Sequence, residues 1–338
     1  MRSNSNLHKA KTQKNDEFYT QLEDIEKELI HYEGQFKGKI VLCNCDNPTW
    51  SAFWKYFHLN FAKLDLKKLI STHYEVDKPT YKMEYKGGND NDIKVGIKTP
   101  LKSNGDFRSE ECLNTLDECD IVVTNPPFSL FRECVAVLME HKKKFLIIGN
   151  KNAVKCKTFF PLIKDNKVWT GCTNVKEFLQ PDGSIKKFGN IGWFTNLDVV
   201  QGKKLILHKK YTSNEYQKYG NYNAINVNKV SEIPVDYDGV MGVPITFIDK
   251  YNPKQFEILG MTTGRKEFDE LTYPTKRYIN AIQHNKDGSL TNGSKMNTSA
   301  TLCANSDNRI YYTADNADGR LILTYSRILI RKRNTRHR

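Results

Sequence analysis

Asn125, Pro126, Pro127 and Phe128 directly follow the run Ile121-Val122-Val123-Thr124. A short unbroken run rich in β-branched apolar residues reads as a strand buried on both faces, as in a parallel sheet. Two prolines then end it, because neither has an N–H to donate and each fixes φ. The carbonyls of Asn125 and Pro126 are thus expected without ladder partners at the carboxyl end of a strand. In open α/β sheets that end is where ligands bind. An amide oxygen, a carbonyl oxygen and an aromatic face, all held rigid, suit the binding of a planar amino group. The plain structural alternative is a strand ended by a Pro-Pro loop with a core phenylalanine.

The elements needed to position this stretch are legible on either side. Lys39-Ile40-Val41-Leu42-Cys43 reads as a first strand ending at Asn44-Cys45-Asp46-Asn47-Pro48, followed by a helix carrying Phe53, Trp54 and Phe57. Before it, Thr20 and Glu23 have the spacing of a capping box, and Leu22, Ile25 and Leu29 predict a helix over about 21–32. Leu69 to Tyr74 reads as a second strand, and residues 86–105 as a long excursion with little core. Gly105-Asp106-Phe107-Arg108 closes that excursion before a short helix around 109–118. Phe131, Val135, Leu138 and Met139 share one face of a helix whose end at His141-Lys142-Lys143-Lys144 complements its own dipole. Phe145 to Gly149 is another buried strand, and Lys167–Thr170 with Ile191–Thr195 an antiparallel pair at the sheet edge. Alternating strand and helix through residue 160 predicts an α/β fold with a doubly wound parallel sheet. Beyond about residue 200, short apolar runs such as Val243–Ile248 alternate with Asn-, Gly- and Tyr-rich loops, and 281–318 is rich in Ser, Thr, Asn and Gly. That half reads as mixed, loop-rich and separate in purpose.

Composition narrows the class. The formal net charge is +13, and residues 201–338 hold 22 Lys and Arg against 13 Asp and Glu, so most of the excess lies in the C-terminal part and points to a polyanion bound there. No run of eighteen apolar residues is present, so no membrane span is expected, and the polar, basic residues 1–14 read as a mobile tail rather than a signal peptide. The 8 cysteines lack framework spacing, which fits reduced thiols and a cytoplasmic location. Cys43-Asn44-Cys45, the only close pair, is not read as a zinc site, and no metal is expected.

Asn-Pro-Pro-Phe is similar to the motif of amino-group methyltransferases that use S-adenosylmethionine. The chain resembles the EcoRI-type adenine-specific DNA methyltransferases over nearly all its length, through Asn15–Thr20, Val41–Phe57, Gly105–Arg108, Thr124–Phe131 and Gly239–Gly260. The resemblance implies a Rossmann-like catalytic domain over 15–200, binding S-adenosylmethionine, and a DNA target-recognition region over 201–338. It implies that Phe18, Tyr19 and Thr20 contact the methionine part of the cofactor. The turn Asn44 to Asn47, with Cys43 just before it as a further cofactor contact, takes the place of the usual Gly-rich loop, which is absent here, and Asp46 is the expected anchor of the cofactor's amino group. His73, with Glu75 two residues on, stands where an acid for the ribose is usual. Asp106 and Phe107 fall in the segment that holds the cofactor's adenine. Asn125, Pro126, Pro127 and Phe128 become catalytic, with Phe128 stacking on a flipped-out target adenine and Trp193 or Phe194 as a second wall unless they are core.

The expected partner is double-stranded DNA, with phosphate contacts from Arg327, Arg331, Lys332 and Arg333. The expected state is a monomer, in a restriction-modification or phage self-protection setting, with room for a cognate restriction endonuclease that acts separately. Two rivals stay open: an amino methyltransferase of RNA or protein glutamine, and a catalytically inactive DNA-binding module.

Overall fold

The computed structural model describes residues 19–76, 79–180, 183–198, 204–262, 274–304 and 310–333. Phe18, the 1–14 tail and the terminal residues 334–338 lie outside these. The chain divides into two compact units, one of residues 1–153 with 167–199 and the other of 154–166 with 200–338.

The first unit runs β1 (Tyr19–Thr20), α1 (Leu22–Leu29), β2 (Ile40–Cys43), α2 (Ala52–Leu59), β3 (Lys68–Ser71), β4 (Tyr81–Tyr85), β5 (Ile97–Pro100), α3 (Glu110–Glu118), β6 (Ile121–Thr124), α4 (Phe131–Glu140), β7 (Lys144–Asn150), β8 (Trp169–Thr170), β9 (Glu177–Leu179), β10 (Ile185–Lys187) and β11 (Ile191–Thr195). Among the described residues its main sheet has the order β5-β4-β3-β2-β6-β7-β11-β8. The centre, β3-β2-β6-β7, is parallel, and it holds the apolar runs that read as buried strands. Both edges are antiparallel, β4 and β5 on one side and β11 and β8 on the other, so the sheet is mixed rather than wholly parallel. The edge pair of Trp169–Thr170 with Ile191–Thr195 forms as its sequence implies. β5 lies inside the stretch read as an unstructured excursion; every one of its residues is exposed, so no buried face marks it in the sequence. The second strand ends at Ser71 rather than Tyr74.

Two local expectations give way to tertiary contacts. Thr20 does not cap α1. It is extended in β1, paired with Phe178 of β9; Gln21 takes the N-cap position and Glu23 instead pairs with Lys27 at 3.0 Å. Lys143 does not serve the end of its own helix. Its ammonium donates to the carbonyls of Asp117 at 2.9 Å and Cys119 at 3.0 Å, at the C-terminus of α3, where a cation meets the negative end of that helix's dipole. By contrast Phe53, Trp54 and Phe57 are buried on α2 as their spacing implies, and Ser51 caps it by accepting from the N–H groups of Phe53 at 3.1 Å and Trp54 at 3.3 Å. Trp193 and Phe194 are fully buried on β11, packed on Phe53 and Phe131 respectively, so both belong to the core and neither is a second wall for a base.

The second unit contains α5 (Phe160–Lys164), β12 (Ile225–Asn226), β13 (Met241–Pro244), β14 (Phe256–Met261), β15 (Ile282–His284), β16 (Leu290–Asn292), β17 (Thr301–Cys303), β18 (Tyr311–Ala314), β19 (Ala317–Leu323) and β20 (Arg327–Lys332). Among the described residues they form sheets of order β12-β13-β20-β14 and β16-β15-β18-β19-β17. The stretch 281–318, which reads as loop from its Ser, Thr, Asn and Gly content, supplies strands of the second sheet. Buried Asn221 pins this sheet: its amide donates to the carbonyls of Met296 and Ser299 and accepts from Thr301 N–H at 3.0 Å.

Candidate active site

The carboxyl ends of β2, β3 and β6 open into a cavity of about 560 Å³. That is within the range of small-molecule sites, roughly 300–1,000 Å³. It is lined by Tyr19, Thr20, Asn44, Asp46, His73, Asp106, Phe107, Asn125, Pro126, Pro127 and Phe128, so segments spread over 110 positions of the chain meet at one place. Cys43 is not among them: it is fully buried on β2, and Cys45 lines the cavity in its stead. Trp50, Tyr74 and Arg108 also line it. Sequence reading missed the first two because an exposed aromatic in a turn carries no pattern. Trp50 is 48% exposed yet lies with its ring 4.1 Å from that of Tyr19, and Tyr74 is 50% exposed.

At the end of β6, the Pro127 carbonyl accepts from Leu130 N–H at 2.8 Å, starting a single 3-10 turn that leads into α4. Phe128 joins Phe178 and Phe188 in a group of edge-on rings with centroids 5.7 to 5.8 Å apart. Gly149, on β7, packs against Phe131, where a Cβ would stand 2.2 Å from the ring.

Asp46, part of the cavity wall, is almost wholly buried. One carboxylate oxygen accepts from Ser51 Oγ at 2.8 Å, the other from Thr124 Oγ1 at 2.6 Å, and the main-chain N–H of Asn125 donates to the same group. Burial outweighs these donors and raises its pKa to about 6. The neighbouring Cys43 and Cys45 thiols are pushed well above their ordinary value, also by burial.

Asp106 is differently held. Arg108 donates to it from its main-chain N–H, Nε and Nη2, at 2.7 to 2.9 Å, and holds its carboxyl below the usual range. Gly105 has φ +77°, and a Cβ there would come within 2.0 Å of the His73 carbonyl. This close approach sets the Gly-Asp-Phe segment directly against the loop that follows β3. His73 Nε2 lies 2.9 Å from Thr80 Oγ1 and 3.7 Å from Glu75, and Glu75 also lines the cavity.

Two buried oxygens facing this region, Thr20 Oγ1 and Asn44 Oδ1, have no hydrogen-bond partner among the described residues. A buried polar atom without a partner is costly, so both suit a ligand with amino or hydroxyl groups. The acceptor set therefore fits a polar ligand, and Phe107 adds an apolar surface to the cavity wall.

The four basic residues expected at phosphates lie on or beside β20 in the second unit. Arg327 Nε donates to Asn226 Oδ1 at 3.3 Å, Arg331 pairs with Glu257 at 2.9 Å, Lys332 donates to the Val235 carbonyl at 2.5 Å, and Arg333 Nε to the Pro253 carbonyl at 2.8 Å. Each thus has a partner within its own unit. Among the described residues no helix is long and apolar enough to cross a membrane.

A mixed α/β sheet with a polar cavity at the ends of its parallel strands is consistent with a methyltransferase fold. The family described as adenine-specific methyltransferase EcoRI matches residues 6–333. The chain belongs to that family. It is 46% identical over 303 residues to the Type II methyltransferase M.EcoRI of Escherichia coli, covering 79% of this chain and 92% of that one. It is 42% identical over 275 residues to the Type II methyltransferase M.MpnI of Mycoplasma pneumoniae, covering 75% of this chain and 84% of that one. A third relative, M.MgeORF184P of Mycoplasma genitalium, is 39% identical over 275 residues. No solved structure shows a significant match.

Proposed function

We propose that the protein transfers the methyl group of S-adenosylmethionine to N6 of a flipped-out adenine in double-stranded DNA. The observation that carries this reading is the meeting of Asn125 and Pro126 with the Asp106-Phe107 and Thr20-Asn44 segments in one cavity, in a chain of an adenine-specific methyltransferase family. The adenine N6 lone pair is delocalised into the ring and is a poor nucleophile. Asn125 Oδ1 and the Pro126 carbonyl each accept one N6 hydrogen, which draws the nitrogen toward tetrahedral geometry and frees the lone pair. Both acceptors are neutral, so orientation and preorganised dipoles supply most of the acceleration. The cofactor, when bound, would supply an electrophilic methyl on a sulfonium: as the N6–carbon bond forms the sulfur–methyl bond breaks, the neutral thioether S-adenosylhomocysteine leaves, and the surplus N6 proton is released to solvent.

Thr20 and Asn44 oxygens are our choice for its methionine part, Glu75 with His73 for its ribose, and Asp106 with Phe107 for its adenine. Asp106 keeps acceptor capacity while paired to Arg108, since a carboxylate has about four lone-pair sites. Phe128 faces the target base. Extruding that base costs a few kcal/mol. We read the parallel centre of the sheet as doubly wound and Rossmann-like, residues 15–200 as the catalytic domain and 201–338 as the part that recognises DNA. A monomer acting apart from any restriction endonuclease fits this division of labour.

The test is methyl transfer from labelled S-adenosylmethionine to duplex DNA, RNA and protein, with Asn125→Ala in parallel. We expect label in N6-methyladenine of DNA, lowered by about 10²–10³ in the variant, the scale set by losing one preorganised hydrogen-bonding group. Label in RNA or protein would replace the substrate.

A further inference from the structure

β2 and β6 are neighbours in the sheet, but their ladder joins only Val41 with Ile121 and Leu42 with Val122. It stops before either strand reaches the cavity. β6 stays paired with β7 on its other side up to Thr124 and Ile147. Past the ladder's end the Asp46 carboxylate spans the gap, taking the hydroxyl of Thr124 on one oxygen and that of Ser51 on the other, with the N–H of Asn125 as a further donor. Asp46 is itself fixed. Its N–H donates to the Thr72 carbonyl at 3.0 Å, its carbonyl accepts from Ser71 Oγ, and Ser51 is the cap of α2. The carboxyl ends of β2, β3 and β6 and the start of α2 are thus tied at one residue, β3 through its main chain and β6 and α2 through its carboxylate.

We propose that Asp46 is a positioning residue for methyl transfer, its carboxylate setting where Asn125 stands, rather than a ligand of the cofactor's amino group. The inference rests on the reading of Asn125 as an acceptor for the amino group. Three donors converge on two oxygens, and only an acceptor-only group satisfies all three. An amide in its place brings a donor against a donor, so one of the three must turn away. Because Thr124 and Asn125 are consecutive, loss of either of their contacts loosens the residue that holds the amino group. A displacement of about 1 Å is enough to cost of order 10²-fold in rate.

The test uses the full chain and the variants Asp46→Asn, Thr124→Val, Thr124→Ser and Asn125→Ala. Three quantities are measured: affinity for S-adenosylhomocysteine by calorimetry, affinity for duplex DNA, and the single-turnover rate of methyl transfer at saturating cofactor. We expect D46N and T124V to slow the saturated rate by about 10- to 100-fold, with S-adenosylhomocysteine affinity within about threefold of wild type. T124S, which keeps the hydroxyl, should recover most of the T124V loss and so excludes a folding artefact if D46N is unstable. A drop in cofactor affinity with an unchanged saturated rate would make Asp46 a cofactor ligand and overturn the proposal. Parallel losses in all three quantities would reduce it to general structure and also overturn it. Should N125A transfer methyl as fast as wild type, the reading of Asn125 fails first. Should N125A be inactive while D46N and T124V are not, only the present inference fails.

Discussion

Asp46 carries a stability signature of its own. Burial raises its carboxyl from an ordinary 3.8 to about 6, although Thr124, Ser51 and the Asn125 N–H all favour the ionised form. A raised pKa means that the folded state binds the proton more tightly than the unfolded chain. The stabilisation is therefore complete below pH 3.8 and is lost as pH rises through 6, a difference of about 3 kcal/mol at 1.36 kcal/mol per unit. The thiols beside it, Cys43 and Cys45, stay neutral throughout that window. Urea midpoints taken from pH 4 to 7 should fall more steeply for wild type than for D46N; parallel curves would refute the shift. Gly105 is the other residue with a sharp expectation. Its positive φ and the 2.0 Å approach of a Cβ to the His73 carbonyl make Gly105→Ala a backbone clash. The left-handed conformation alone costs roughly 1–2 kcal/mol for an L side chain, and cofactor affinity should fall with it. At this scale much of the site was legible: Asn125, Asp106 and Phe107 stand at cavity positions because strand-ending prolines and a Gly-Asp-Phe turn are local features. Trp50 and Tyr74 were not, since nothing local distinguishes a cavity-rim aromatic from any exposed one.

At the scale of elements, legibility follows sequence separation. α2 and α4 show in their apolar spacing, and β6 and β7 in their apolar runs, because each signal lies within one stretch of chain. β1 and β9 do not: they are two and three residues long and exist through pairing of Thr20 with Phe178 across the chain. That pairing overrode the capping box and left Thr20 Oγ1 in the cavity wall. Lys143 is structural, as its place in a basic run after a helix implies, but its carbonyl partners belong to α3 rather than to its own helix for the same reason. The pairing has a testable consequence. Phe178 is fully buried, supports Phe128 through the ring group, and is hydrogen-bonded beside Thr20. Phe178→Ala should cost about 3–5 kcal/mol, the range for large aromatic truncations in a core. Because it sits between two parts of the cavity, it should also weaken S-adenosylhomocysteine binding in calorimetry. A variant destabilised by that amount but binding normally would mean that the small β1-β9-β10 sheet is scaffold only.

For the whole molecule, net charge and the placement of individual cations give different guidance. The +13 total, with most of the excess beyond residue 200, calls for a polyanion and for binding that weakens steeply with salt. Yet the four cations chosen by their crowding near the C-terminus are not equivalent once folded. Lys332 is only 14% exposed at its side chain and is spent on the Val235 carbonyl and on Asp238 at 3.4 Å, and Arg333 Nε is spent on main-chain carbonyls. Arg331 pairs with Glu257, but 49% of its side chain is exposed, and exposed pairs of this kind are weak, about 0–1 kcal/mol. A phosphate can therefore replace Glu257 as its partner at little cost, whereas drawing Lys332 or Arg333 away leaves a carbonyl without a donor. The three should separate in a salt titration of duplex binding. Arg331→Ala should weaken binding evenly across DNA sequences and lower the slope of log K against log salt by about one phosphate's worth, ~0.9. Lys332→Ala should leave that slope unchanged and instead lower the thermal midpoint, since β20 pairs with both β13 and β14 and its loss of support is felt across that sheet. An unchanged slope in R331A would remove β20 from the DNA surface and shift attention to cations elsewhere beyond residue 200.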